Sequence, residues 1–160
     1  MSWSDIRTAT KLKLESVSGV ENVLDYVVWT DSWQDIMDLF EKDGRINTWM
    51  VGLGNNNLNE LDAGLRNSTY IINIFAYYSI KTSNESSKTF EDLVMTVRDE
   101  FMKSFSYIKT YVPAYTDHAI SRMPSTIIID NAVYLQNPCH RLQMQIPITE
   151  TVAQDISCSG

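Results

Sequence analysis

Cysteine, histidine and positive charge are all scarce in this chain. Its two cysteines, Cys139 and Cys158, are too few for a disulfide framework and have no CxxC spacing, so they read as free thiols of a reducing compartment. Thirteen basic residues stand against twenty acidic ones, a net charge of −7. That balance works against stable non-specific binding to DNA or to an anionic membrane, because both need a basic surface. The longest apolar stretch, "YIINIFAYYSI", has 11 residues and is interrupted by Asn73. A membrane helix needs about 20. The N-terminal "MSWSDIRTATKLKLES" lacks the charged start and apolar block of a signal peptide. The expectation is a soluble protein made in a cytoplasm, with no membrane partner.

Chemical motifs are equally sparse. There is no HExxH, no GxSxG and no carboxylate pair at a telling spacing, and "GLGNNN" lacks the GK[ST] that would make it a phosphate loop. Cys139 and His140 are adjacent, so on a strand they point to opposite faces and make a poor nucleophile and base pair. His118 stands alone in a segment bounded by Pro113 and Pro124, and Asp130-Asn131 after "TIII" matches a common turn or bulge former. A small enzyme built on His118, Asp130 and His140 is therefore the weaker alternative. No catalytic residue, metal site or cofactor is expected.

What is present is an ordinary globular composition, 44% hydrophobic and 21% charged, in 160 residues. That length suits one domain able to bury its own core. Ser2 and Asp5 are spaced as a capping box, and Ile6, Ala9, Leu14 and Val17 share one face of a helix over 4–17. "NVLDYVVWT" has the β-branched and aromatic mix of a strand. Asp31-Ser32 then caps a helix carrying Trp33, Ile36, Met37 and Phe40 inward, with Gly44 as its C′ residue. "RINTWMVGL" alternates as a strand. Residues 54–67, with five asparagines and two glycines, read as a long loop. "STYIINIFAYYSI" is apolar on both faces and belongs in the centre of a sheet. From Thr89, the residues Phe90, Leu93, Val94, Val97, Phe101 and Phe105 trace a broad helical stripe. "TIIIDNAVYLQ" and "CHRLQMQIPITE" are two strands joined by Asn137-Pro138, the second lying at an edge or ending at Pro147, which lacks a ladder donor. The expected fold is α+β: a mainly antiparallel sheet with helices packed on one face, two layers, over residues 1–149, followed by a flexible tail over 150–160.

Within "YVVWTDSWQDIMDLFEKDGRINTWMVG", Asp35, Asp38 and Glu41 recur every three residues on the outer face of the second helix. Acids so spaced repel by about 0.2–0.5 kcal/mol a pair, so local stability does not explain them. They are a solvated face, or one kept repulsive towards something negative, or one that pairs with a basic neighbour chain.

The order of these elements, with the patterns Y-x-x-W-T-x-x-W (residues 26–33) and F-x-D-L-V-x-x-x-R-D-x-F (residues 90–101), resembles the tail terminator, or tail-completion, proteins of long-tailed bacteriophages. The resemblance covers about residues 4–149 and carries no residue-level role. It implies an α+β subunit of a homohexameric virion ring that caps the tail tube protein, then meets the head-completion or connector protein, with DNA passing transiently through its lumen. On that reading, Asn55, Asn56, Asn57, Asn59, Glu60, Asp62 and Arg66 are candidate ring or tube contacts. Asp35, Asp38 and Glu41 are candidate lumen or interface acids. Another neck component, a head-closure or connector-adaptor protein, is the rival within the same particle.

Overall fold

The structure, a computed structural model, describes residues 2–28, 38–42, 44–62, 65–80, 85–104, 106–112, 119–121, 123–134 and 137–153. The chain opens with helix α1, Trp3–Glu15. Its start is the capping box: Asp5 N–H donates to Ser2 Oγ (3.2 Å), and Ser2 N–H donates to Asp5 Oδ2 (3.3 Å). Strands β1 (Asn22–Leu24), β2 (Glu41–Lys42), β3 (Arg45–Asp62) and β4 (Leu65–Ser79) follow. Then come helices α2 (Ser86–Lys103) and α3 (Tyr107–Tyr111), and strands β5 (Ala119–Ser121), β6 (Thr126–Tyr134) and β7 (Asn137–Ala153).

Among the described residues the strands form one seven-stranded sheet of order β1-β3-β4-β7-β5, with β2 also on β3 and β6 also on β7. Only the β1–β3 pairing is parallel. The fold is thus α+β with a mainly antiparallel sheet, as its patterning implies. β4 occupies the centre, between β3 and β7.

One face of the sheet carries Trp49, Val51, Ile72, Ile74, Ala76, Leu142, Met144, Ile146 and Ile148, all fully buried. The helices close over it. Ile6, Ala9 and Leu14 of α1, Phe90, Val94, Val97 and Phe101 of α2, and Tyr107 and Ile108 of α3 join the same cluster. Thr10 Oγ1 and Tyr107 Oη lie 3.0 Å apart in the core, coupling α1 to α3. The opposite face has a smaller cluster at one end only. There Phe40, Ile46, Met50 and Cys139 are buried with Leu24, Val27, Val28, Phe75 and Tyr77 against them. β4 is apolar on both faces because it contributes to both clusters.

Several boundaries differ from the sequence reading. The stretch 54–67 is strand throughout, apart from residues 63 and 64, which lie outside the described set; β3 and β4 form one long hairpin. Asparagine disfavours strands, but here β7 pairs along the other side of β4 as far as Ala153 and holds the hairpin in a three-stranded arm. Glu150 to Ala153 therefore belong to β7, not to a tail. Asn137-Pro138 opens β7 instead of joining two strands.

β7 is internal, not an edge. The Pro138 carbonyl accepts from Ile80, just past the end of β4, whereas the Gln145 carbonyl accepts from Ser125 beside β6. By alternation Pro147 faces the β5/β6 side. There β6 pairing ends at Gln145 and β5 pairing begins at Ile148, so among the described residues no ladder partner asks Pro147 for the donor it lacks. Of "NVLDYVVWT" only Asn22–Leu24 is strand. Trp29, Trp33, Ile36, Met37, Phe105 and Cys158 lie outside the described residues. Asp38, Leu39 and Phe40 are helical, but Glu41 already belongs to β2. Gly44, at φ 73°, serves the β2–β3 turn and not a helix C-terminus.

Candidate functional site

The three-stranded arm carries the predicted contact residues. Asn55, Asn56 and Asn57 are exposed on β3, and Arg66 is exposed on β4. The register sets Asn59 opposite Asn67, Glu60 opposite Arg66 and Asp62 opposite Leu65. The asparagines satisfy one another locally. Asn55 Nδ2 donates to Asn57 Oδ1 (3.3 Å), Asn56 N–H donates to Asn55 Oδ1 (2.8 Å), and Ser68 Oγ donates to Asn56 Oδ1 (3.1 Å). A register shift between Leu53 and Asn55 places a bulge at Gly54. A Cβ there would come within 2.8 Å of the Asn73 side chain and 3.1 Å of the Ile71 carbonyl, so glycine lets the strands close.

Beyond the smaller cluster, the sheet face opposite the helices carries the amides and hydroxyls of Thr69, Asn73, Gln143, Gln145, Thr149 and Thr151, each half-buried, interspersed with Ile71, Pro147 and the exposed Ile128. Gln145 Nε2 donates to Asn73 Oδ1 (3.1 Å), and Thr151 Oγ1 donates to Asn67 Oδ1 (2.7 Å). Its one described ion pair is Arg141 with Asp130, where Nε donates to Oδ1 (2.8 Å) and a terminal nitrogen donates to Oδ2 (2.5 Å). The guanidinium holds the Asp130 carboxyl below its ordinary value, and Asp130 raises Arg141 in turn.

The three acids do not form the expected helical stripe. Asp35 lies outside the described residues, and Asp38 and Glu41 sit on different elements, both exposed. Their segment is fixed by Asn22, whose Nδ2 donates to the Leu39 carbonyl (2.6 Å), and by Thr48, whose Oγ1 donates to the Phe40 carbonyl (3.0 Å). Phe40 is thereby pressed into the smaller cluster while the acids remain at its rim. Glu41, Gly44, Arg45, Ile46, Ser79, Ile80 and Pro138 line a shallow cleft of about 250 Å³. Its arginine is already paired with Glu21.

The trio His118, Asp130 and His140 is not assembled. His118 lies outside the described residues, and Asp130 and His140 occupy opposite faces, since Asp130 pairs in register with Arg141. His140 instead meets two residues that sequence reasoning missed. Its Nδ1–H donates to Asn131 Oδ1 (2.7 Å), leaving Nε2 to accept from the Ser86 hydroxyl (3.0 Å). The connectivity is that of a nucleophile, a base and an orienter. All the same, Ser86 and His140 are buried, and the imidazole stacks on Phe90 (5.7 Å), itself stacked on Tyr78 (5.4 Å). The arrangement clamps the first turn of α2 to β6 and β7. Burial lowers the His140 pKa, opposed by the nearby Glu91 charge. The shared parity of His140 and Leu142 was the available signal that this ring turns inward.

Among the described residues no group of three or more His, Cys, Asp or Glu is placed to hold a metal. No helix of the described chain is long and apolar enough to cross a membrane. Comparison with protein-family models and with curated proteins finds no match for this chain.

Proposed function

We propose that this protein is a structural subunit of a bacteriophage tail, of the tail terminator kind, acting as a homohexameric ring. The ring caps the tail tube, joins the tail to the head connector and lets DNA pass through its lumen. The observation that carries this reading is the division of labour between the two sheet faces. Helices α1, α2 and α3 bury their apolar stripes on one face. The other presents mostly uncharged side chains, amides and hydroxyls with Ile71, Pro147 and Ile128 among them, beside the exposed acids Asp38 and Glu41, with Arg141 already neutralised by Asp130. Such a surface adds few of the salt-dependent phosphate contacts that would hold DNA in place. The arm of β3, β4 and β7 extends from the same sheet and offers Asn55, Asn56, Asn57, Asn59, Glu60, Asp62 and Arg66 to a neighbouring copy or to the tube.

Imaging of particles with labelled protein, together with a native mass spectrum of the purified chain, tests the proposal. Six copies at the head-proximal end of the tail tube support it. A monomer at high concentration, or particles without the label, overturns it. A ring on the portal side of the neck favours a head-closure or connector-adaptor role instead. The Ser86–His140–Asn131 chain supports a second reading, a small hydrolase. Ser86→Ala particles with normal assembly and infectivity would remove that reading.

A further inference from the structure

The sheet ends in two strand edges that carry no partner among the described residues. On one side β1 and β2 pair with β3 only as far as Met50, leaving Val51–Asp62 bounded by β4 alone. On the other side β6, nine residues long, is bounded by β7 alone. Unpaired edges are templates for another strand, and proteins that remain monomeric usually guard them with Lys, Arg, Pro or short length. These edges are lightly guarded: β6 carries one charge, Asp130, and the β3 edge has a bulge at Gly54, with Glu60 and Asp62 only at its far end. "TIIIDNAVY" contains no Lys, Arg or Pro, and Ile128 and Ile129 are 49% and 37% exposed. "VGLGNNNLN", residues 51–59, is uncharged and free of proline. The bulge at Gly54 is the one irregularity along that second edge short of Glu60.

The backbone directions can be read from the register. Odd-numbered residues of β7 face β6, because the Gln145 carbonyl accepts from Ser125. Their partners Thr126, Ile128 and Asp130 therefore point inward, and Ile127, Ile129, Asn131 and Val133 turn their N–H groups outward. Ile46 donates its N–H to Ser79 on β4, so even residues of β3 face β4 before the bulge and odd ones after it. Val51, Leu53, Asn56 and Leu58 consequently face outward. The Asn56 N–H is capped by its neighbour Asn55, as an outward donor requires when no strand takes it.

We infer that these edges pair with each other between copies: the β6 edge of one subunit adds to the Val51–Asp62 edge of the next, continuing the sheet around the ring. The edges sit at opposite ends of one sheet and differ from each other, so the contact is head-to-tail and propagates until it closes. Their lengths match, since β6 spans about 30 Å at ~3.3 Å per residue and the free part of β3 is longer. Closure depends on the ring proposed above; the pairing itself depends on the two edges.

The test uses the full chain in a Cys158→Ser background, with Cys139 buried. Asn57→Cys and Ile128→Cys, on the same sheet face, are placed together and singly, and treated with a short bifunctional thiol reagent. The double variant should yield a ladder of multimers ending at the ring, and each single variant should remain uncrosslinked. Ile128→Cys dimers on their own would overturn the head-to-tail pairing in favour of a β6–β6 contact. A ring seen by native mass spectrometry with no crosslinked ladder would overturn the edge pairing while leaving the ring reading intact. A monomer in both assays would overturn both. Ile129→Pro removes one outward donor, and Ile128→Lys places a charge on the edge. Each should leave the monomer folded by circular dichroism and weaken assembly at least tenfold; unchanged assembly in both variants would count against the inference.

Discussion

Phe101 is fully buried in α2 and meets Tyr107 edge-on at 5.2 Å. Phe101→Ala should therefore cost on the order of 3–5 kcal/mol, the range for a large core residue replaced by alanine. For a chain of this size that lowers Tm by at least about 6 °C; thermal unfolding with an unchanged midpoint would show that the site collapses freely or is not core. His140 predicts a pH dependence. Its folded pKa lies below the ordinary value because burial disfavours the imidazolium. The unfolded chain thus binds the proton more readily, and the stabilisation is complete above about pH 6.5, then lost as pH falls towards the folded value. Urea midpoints should decline between pH 7 and 5, and His140→Gln should flatten that decline. An equal slope in both proteins would place the titrating group elsewhere. Cys139, pushed up to about 11 by burial, should resist alkylation at neutral pH until the chain unfolds.

At the scale of elements, α1, α2 and β4 were legible because each has a period that packing enforces: Ile6, Ala9 and Leu14, then Phe90, Val94, Val97 and Phe101, then a strand apolar on both faces. The arm was not legible. Its asparagines carry no alternation, and what makes them strand is β7 pairing with β4 from far along the chain. The edge position expected of β7 failed for a related reason. Pro147 does lack a donor, but among the described residues neither β5 nor β6 pairs with it. The Ser86, Asn131 and His140 contact joins three elements, and no spacing in the sequence encodes it. The arm yields its own prediction. Replacing Leu58–Ser68 by Asn-Gly closes the hairpin between Asn57 and Thr69, which face each other, with a two-residue turn. The buried cluster around Ile72, Ile74 and Trp49 should survive, so the monomer should fold while ring assembly or tail joining is lost. Normal virion yield from this variant would show that the arm is dispensable.

At the scale of the whole molecule, the excess of acid and the uncharged sheet face make one prediction about DNA. Gln143 and Gln145 share the face opposite the helices. Changing both to Lys adds two positive charges per subunit, repeated around any ring. DNA retention should appear at low salt and fade as ionic strength rises. Ejection kinetics indistinguishable from the parent at low salt would mean that this face does not meet DNA. The position of β7 has a consequence for synthesis. Its pairing with β4 closes a loop that contains α2, α3, β5 and β6, so the central strand of the sheet keeps one side open until residues 137–153 have left the ribosome. Contacts of such long sequence separation form slowly. During that interval Ile72, Ile74 and Ala76 lack the cover of Leu142, Met144 and Ile146, and apolar surface exposed in this way is prone to aggregate. Premature arrest before β7 should leave an aggregating fragment, and the intersubunit sheet proposed above could begin only after translation has passed the last of its own strands.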